Sequence, residues 1–174
     1  MTTQTLPLRS MVLIPRPELH LAGKLSIASL VLLGVGALAG GIALVMRPDG
    51  SVMRFDVQLL AGSPFADFLV PGLILGALFG IGSLVVAVLG VRRSRLAPFL
   101  AFAVGGAQMI WIVMELAIIQ ELSFLHPVFF AVGLVIAASA VPWGWPTFQA
   151  WRTSLRGRRV EDLPLARPKG PRLT

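Results

Sequence analysis

The chain has 174 residues, of which 56% are hydrophobic and only 13% are charged, and its formal net charge is +7. This composition excludes a disordered chain, which needs low hydrophobicity, and a soluble domain, which carries about 25% charged residues. An integral membrane protein remains. Cysteine and tyrosine are absent, so disulfides, thiolate nucleophiles and phenolic acids are excluded as well.

Four apolar stretches are long enough to cross a membrane. About 20 helical residues rising 1.5 Å each cover the roughly 30 Å hydrocarbon core, where only internally hydrogen-bonded backbones are stable. The predicted spans are residues 25–46, 68–91, 96–119 and 126–145, preceded by a leader (1–24), interrupted by an outer loop (47–67) and followed by a basic tail (147–174). The sequence therefore predicts an all-α membrane protein whose domain 25–146 is an antiparallel bundle of four transmembrane helices.

The Lys and Arg residues are divided unequally between the two sides of this arrangement. Thirteen lie in the leader, the short link 92–95 and the tail, whereas only Arg47 and Arg54 lie in the outer loop. Because cytoplasmic segments carry the positive excess, both termini are predicted to be cytoplasmic. The first apolar run extends to Met46, which is longer than the 7–15 residues of a cleavable signal core, so we expect it to be a retained span.

Small residues recur at four-residue intervals in the first two spans. The positions are Gly36 and Gly40 in the first, and Gly72, Gly76 and Gly80 in the second. Such spacing places glycines on one helix face, where neighbouring backbones can approach closely. Packing within the chain is the first interpretation; the alternative is a homo-oligomer joined by the triple-glycine face.

The outer loop contains a turn signal and a helix start. Pro48-Asp49-Gly50 is typical of a turn, and Ser63-Pro64 is typical of an N-cap followed by the first helical residue. Between them, residues 52–60 fit either an extended piece or a short helix.

The third span carries the strongest candidate site. Gln108, Trp111 and Glu115 share one helix face, and Glu115 is the one ionisable side chain that lies away from the span edges. A carboxylate within a membrane is costly, so it should face the bundle and find a partner. The candidate partners are Gln108, Arg47, Arg54, Ser123 and His126. The sequence leaves three interpretations open: a structural pair with a loop arginine, a ligand, ion or proton site, and an interfacial carboxylate that reaches water.

Metal and cofactor chemistry is not expected. The two histidines, His20 and His126, fall on opposite sides of the membrane and cannot share one ion. The serines are scattered singly, so no nucleophile–base constellation stands out. An acid–base pair formed by Glu115 and His126 is the one enzymatic alternative.

The tail begins with aromatic residues typical of a membrane interface. Trp143 and Trp145 fit the interfacial belt. Beyond a kink at Pro142 and Pro146, Trp151 alternates with Arg152 and Arg156, which is typical of a basic amphipathic helix lying on anionic lipid. Because orientation already accounts for these arginines, no nucleic-acid partner is expected.

Two segments resemble a group of small uncharacterised bacterial membrane proteins. They are the run 63–75, Ser-Pro-Phe-x-Asp-Phe-Leu-Val-Pro-Gly-Leu-Ile-Leu, and the segment Gln108-x-x-Trp111-Ile112. The resemblance covers about residues 25–144 and implies four helices in a bacterial inner membrane, with no activity attached.

Three functions follow as expectations. The first is a non-catalytic binding or accessory bundle, with a polar site in its outer half that holds a lipid, a small ligand or a partner helix. The second is an oligomeric transporter or proton-coupled carrier that uses Glu115. The third is a membrane enzyme acting on a lipid-like substrate.

Overall fold

A computed structural model describes residues 19–119 and 123–161, and the side chains of these residues except 119 and 154–161. This part of the chain contains four long helices and no strand, so the all-helical class is confirmed. The helices are α1 (Leu21–Met46), α2 (Leu69–Val91), α3 (Ala97–Ile119) and α4 (Leu125–Glu161). Each is long and apolar enough to cross a membrane. Most of the leader and the end of the tail lie outside the described residues.

Glycines bring α1 and α2 into backbone contact. A Cβ atom placed on Gly41 would lie 2.7 Å from the Cα of Gly76, and one on Gly72 would lie 2.7 Å from the Cβ of Leu44. A Cβ on Gly80 would meet Leu38 at 2.8 Å. The triple-glycine face is therefore covered by α1 of the same chain, and Gly72 and Gly80 have no free surface for a second copy.

The two glycines singled out in α1 face different neighbours. A Cβ on Gly40 would lie 3.3 Å from Leu75 of α2, whereas one on Gly36 would lie 3.3 Å from the ring of Phe129 in α4. They do not form one contact surface, because α1 lies between α2 and α4 and packs against both.

The middle of α2 is a π-helix, Leu75–Ile81, between the α-helical segments Leu69–Ile74 and Gly82–Val91. An α-helical turn holds 3.6 residues, so residues four apart are separated by slightly more than one full turn. A π turn, bonded from i to i+5, holds more than four residues, so residues four apart are separated by slightly less than one full turn. The two angular offsets have opposite signs, which helps to keep Gly72, Gly76 and Gly80 directed toward α1.

The helices α3 and α4 also meet through backbone. A Cβ on Gly105 would lie 2.6 Å from the carbonyl oxygen of Gly133 and 2.7 Å from the amide nitrogen of Ala137. The neighbouring Gly106 has nothing within 4 Å of the same position. Only one glycine of this pair is therefore needed for close packing.

Trp143, which was expected to face the lipid interface, is packed inside the bundle. Its side chain is fully buried, and Cβ atoms placed on Gly23 of α1 and Gly90 of α2 would lie about 3 Å from its ring. The side chain fills space left by these two glycines, which is why it points inward. Trp145 and Trp151 are about half exposed, at 52% and 50%.

The helix α4 does not break at the prolines. It runs from Leu125 to Glu161 with Pro142 and Pro146 inside it, so no separate amphipathic helix begins after residue 146. Each proline removes one backbone hydrogen bond, but the intervening turn is held by packing: Trp143 is buried, and Gly144 lies against Pro98 of α3. Arg156 lies in this helix, with its side chain outside the described part.

The outer loop has a small core of its own. Val57–Leu60 forms a 3-10 helix capped by the Asp56 side chain, which decides between the two expected conformations. Leu44, Leu60 and Phe68 form a buried cluster under it. The helix α2 begins at Leu69 rather than at Pro64, because Asp67, not Ser63, accepts the hydrogen bond of its first amide.

Asp49 remains a surface carboxylate within the first turn of this loop. The hydroxyl and the amide of Ser51 both donate hydrogen bonds to its Oδ1, at 2.7 and 3.0 Å. These bonds hold the pKa of Asp49 below its usual range. Asp49 is therefore ionised well below neutral pH.

Candidate functional site

The predicted polar face of α3 points into the bundle, and it is most deeply buried at Gln108. Gln108 is 2% exposed, and Trp111 and Glu115, further along the same face, are partly buried. Gln108 fits because α4 has a glycine opposite it: a Cβ on Gly133 would lie 3.2 Å from the Cβ of Gln108. The sequence of α4 thus makes room for an amide inside the bundle.

The amide of Gln108 brings a buried acceptor without a partner. Its Oε1 atom accepts no hydrogen bond from any described residue. Leaving a buried acceptor unpaired costs about 1–3 kcal/mol. A group that donated a hydrogen bond to this oxygen would recover that free energy.

A second buried polar atom belongs to Ser83 of α2, which the sequence analysis missed. Its side chain is fully buried, and its Oγ has no hydrogen-bond partner among the described residues. The rings of Phe79 and Trp111 join α2 and α3, with centroids 5.7 Å apart. Ser83 lies one turn beyond Phe79 and Gln108 one turn before Trp111, so both follow the ring pair on its inner side.

His126 stands at the start of α4 with a fixed orientation. The amide N–H of Ser123 donates to the ring Nδ1 at 3.0 Å, and the ring is 8% exposed. The same Nδ1 lies 3.3 Å from the carbonyl oxygen of Ser123, a contact in which it would have to donate. The amide contact, in which Nδ1 accepts, is the shorter of the two. The Ser123 hydroxyl is not part of this bond, so Ser123 and His126 do not form a nucleophile–base pair.

Glu115 lies near the end of α3 and His126 at the start of α4. No hydrogen bond or ion pair joins them in the described part of the chain. The expected arginine partners are elsewhere. Arg47 and Arg54 are exposed loop residues, and neither forms an ion pair with Glu115 among the described residues.

The site offers hydrogen-bond acceptors and aromatic surface. Within residues 19–119 and 123–161, no cluster of three His, Cys, Asp or Glu side chains is placed to hold a metal ion. The buried oxygens of Gln108 and Ser83 can each accept a hydrogen bond. Glu115 lies seven residues beyond Gln108, about 10 Å further along α3. Ser83 had one available signal: it follows Gly80 by three residues and continues the small-residue face of α2.

No protein-family model, no curated protein and no solved structure matches the chain.

Proposed function

We propose that the chain is a multi-pass protein of a bacterial inner membrane, with antiparallel helices and both termini in the cytoplasm. The thirteen Lys and Arg residues of the leader, link and tail support this orientation. The contacts agree with opposed chain directions, because Gly23 of α1 meets Trp143 of α4 whereas Gly36 meets Phe129. The bacterial membrane rests on the resemblance of residues 63–75. Arg152 and Arg156 then lie on the side of the anionic cytoplasmic lipids.

Within this bundle we propose a non-catalytic binding function around Gln108, which lies midway along α3 rather than in the outer half. The observation that carries it is the Oε1 atom of Gln108, which is buried without a partner among the described residues. The paired rings of Trp111 and Phe79 add aromatic faces that attract cations. The ligand class that this site favours is a small amine or alcohol that donates a hydrogen bond to the Gln108 oxygen.

The binding function is tested by Gln108→Leu. We expect the wild-type protein, extracted from membranes into nanodiscs, to retain a bound small molecule by native mass spectrometry. The Gln108→Leu variant should lose at least about five-fold of this affinity, because one buried hydrogen bond is lost. Gln149→Leu, at an exposed position of α4, is the matched control and should retain the ligand.

A different pair of results would contradict the binding function. If the wild type carries no bound molecule and Gln108→Leu raises the free energy of unfolding by about 1–3 kcal/mol, Gln108 is an unsatisfied core residue. The binding function is then wrong.

A proton-coupled carrier is the second candidate, favoured by the partly buried carboxyl group of Glu115 within a predicted span. An ionisable group inside a membrane span is typical of proton relays. Two hydroxyls are buried in the bundle without a partner in the described chain, one on Ser83 of α2 and one on Ser26 near the start of α1. Waters bridging these hydroxyls would complete a path.

The variant Glu115→Gln separates the two functions. For a carrier, we expect a pH gradient across the membrane of proteoliposomes to drive protons into the vesicles, where a trapped pH-sensitive dye reports them. Glu115→Gln should abolish this flux, because the amide does not titrate. For a binding bundle, neither the wild type nor the variant should give proton flux, and the variant should fold normally. Asp49→Asn, which removes a carboxylate outside the spans, should behave as the wild type in either case.

A further inference from the structure

A groove lies between the first turns of α3 and the C-terminal part of α4. It has a volume of about 400 Å³. Its walls are mainly apolar and aromatic, and they are formed by Arg95, Leu96, Phe99, Thr147, Phe148 and Trp151. Leu96, Phe99 and Trp151 are each about half exposed or more, so the groove opens sideways on the surface that a bilayer would cover.

A basic cavity adjoins this groove. It has a volume of about 430 Å³ and is lined by the residues 92–96 that link α2 to α3. The two cavities share Arg95 and Leu96, and the second adds Arg92 and Arg93. The described residues that line the two cavities include no Asp or Glu. A positively charged cavity therefore continues into an apolar groove.

The wall of the groove offers little polar contact. Thr147 is 5% exposed, and its Oγ1 is buried without a hydrogen-bond partner among the described residues. The hydroxyl therefore lies behind the apolar wall, and the groove suits an acyl chain rather than a polar group.

We propose that this double cavity binds one anionic phospholipid. The phosphate lies among Arg92, Arg93 and Arg95, and an acyl chain fills the groove beside Phe99 and Trp151. A phosphate bound to arginine forks accounts for the charge. Only a lipid joins that charge covalently to an apolar chain, which the groove requires. The site rests on the proposed membrane assignment but is separate from the polar site around Gln108.

The test measures lipid binding by the full-length protein in detergent. Native mass spectrometry with added phosphatidylglycerol should show one tightly bound lipid per chain, and phosphatidylcholine should bind at least tenfold more weakly. Each arginine near an anionic lipid contributes about five-fold, so the double variant Arg92→Gln/Arg93→Gln should lose about 25-fold. Lys24→Gln, an exposed cation of α1, should change the affinity less than two-fold.

Thr147→Val keeps the shape of the side chain and removes only the hydroxyl. Because that hydroxyl is buried behind the groove wall and has no partner within the described chain, the fold and the affinity for phosphatidylglycerol should both be little changed. Inorganic phosphate alone should not compete at concentrations that saturate the lipid.

Several results would overturn the lipid site. It would be wrong if the two lipids bound equally well, or if Lys24→Gln lowered the affinity for phosphatidylglycerol as much as the double arginine variant does. Competition by inorganic phosphate would also contradict it. Absence of bound lipid, with the groove covered by the chain's own tail or by a second copy, would also contradict it. These results are distinct from failure of the polar site around Gln108, because Gln108→Leu should leave phosphatidylglycerol binding unchanged.

Discussion

Replacing Trp143 by alanine is expected to destabilise the bundle by about 3 kcal/mol. The side chain is fully buried between α1, α2 and α4, so its removal leaves a large cavity. Trp-to-Ala changes in soluble cores cost about 3–5 kcal/mol. The lower end applies here, because helices that separate within lipid do not expose the indole to water. The measurement is the free energy of unfolding in micelles by denaturant titration with circular dichroism.

Trp145→Ala is the matched control for this change. That side chain is 52% exposed and stacks at 6.0 Å on the ring of Phe148, so the expected loss is at most about 1.5 kcal/mol. Trp143→Phe should fall between the two, because the buried indole N–H has no partner to lose within the described chain. Equal losses at positions 143 and 145 would contradict the buried placement of Trp143.

Changing Gly105 to alanine is expected to have an effect opposite in sign to the same change at Gly106. At Gly105 the new methyl group would meet two backbone atoms of α4, at 2.6 and 2.7 Å. Backbone cannot rotate away as a side chain can, so α3 and α4 must separate. Overpacking of this kind costs about 1–3 kcal/mol, and the values at the upper end are expected here.

At Gly106 the same methyl group meets nothing within 4 Å. Alanine favours the helix over glycine by about 0.8–1 kcal/mol, so Gly106→Ala should be neutral or stabilising. The two variants have identical composition, and their unfolding free energies should differ by about 3 kcal/mol. A difference below about 1 kcal/mol, the size of the helix-propensity effect alone, would show that α3 and α4 are not in backbone contact at this level.

The sequence predicted those features that depend on regular spacing. The four spans follow from runs of apolar residues, and the structure places their ends within a few residues of the expected positions, except that α4 continues past residue 145. Spacing along one helix also placed Gln108 and Glu115 on the same face. His126 was among the proposed partners of Glu115, although it comes from another helix.

Features that depend on the neighbouring helix were not predictable. A tryptophan near a span end suits the lipid interface as well as the interior, and only Gly23 and Gly90 on other helices decide that Trp143 is buried. Likewise, Pro142 and Pro146 signal a break, but the packing of Gly144 on Pro98 holds the helix together. The isolated hydroxyls of Ser83 and Thr147 have no periodicity that would distinguish them from lipid-facing serines and threonines.

The helix bundle and the core of the outer loop should respond differently to temperature. Helices that separate within a bilayer move apolar side chains into hydrocarbon, so little of the surface becomes hydrated and the heat-capacity change should be small. The loop core of Leu44, Leu60 and Phe68 lies next to water and carries the ordinary positive heat capacity. Cooling therefore weakens the loop core while leaving the membrane part nearly unchanged, so the outer face and the spans have different temperatures of maximum stability.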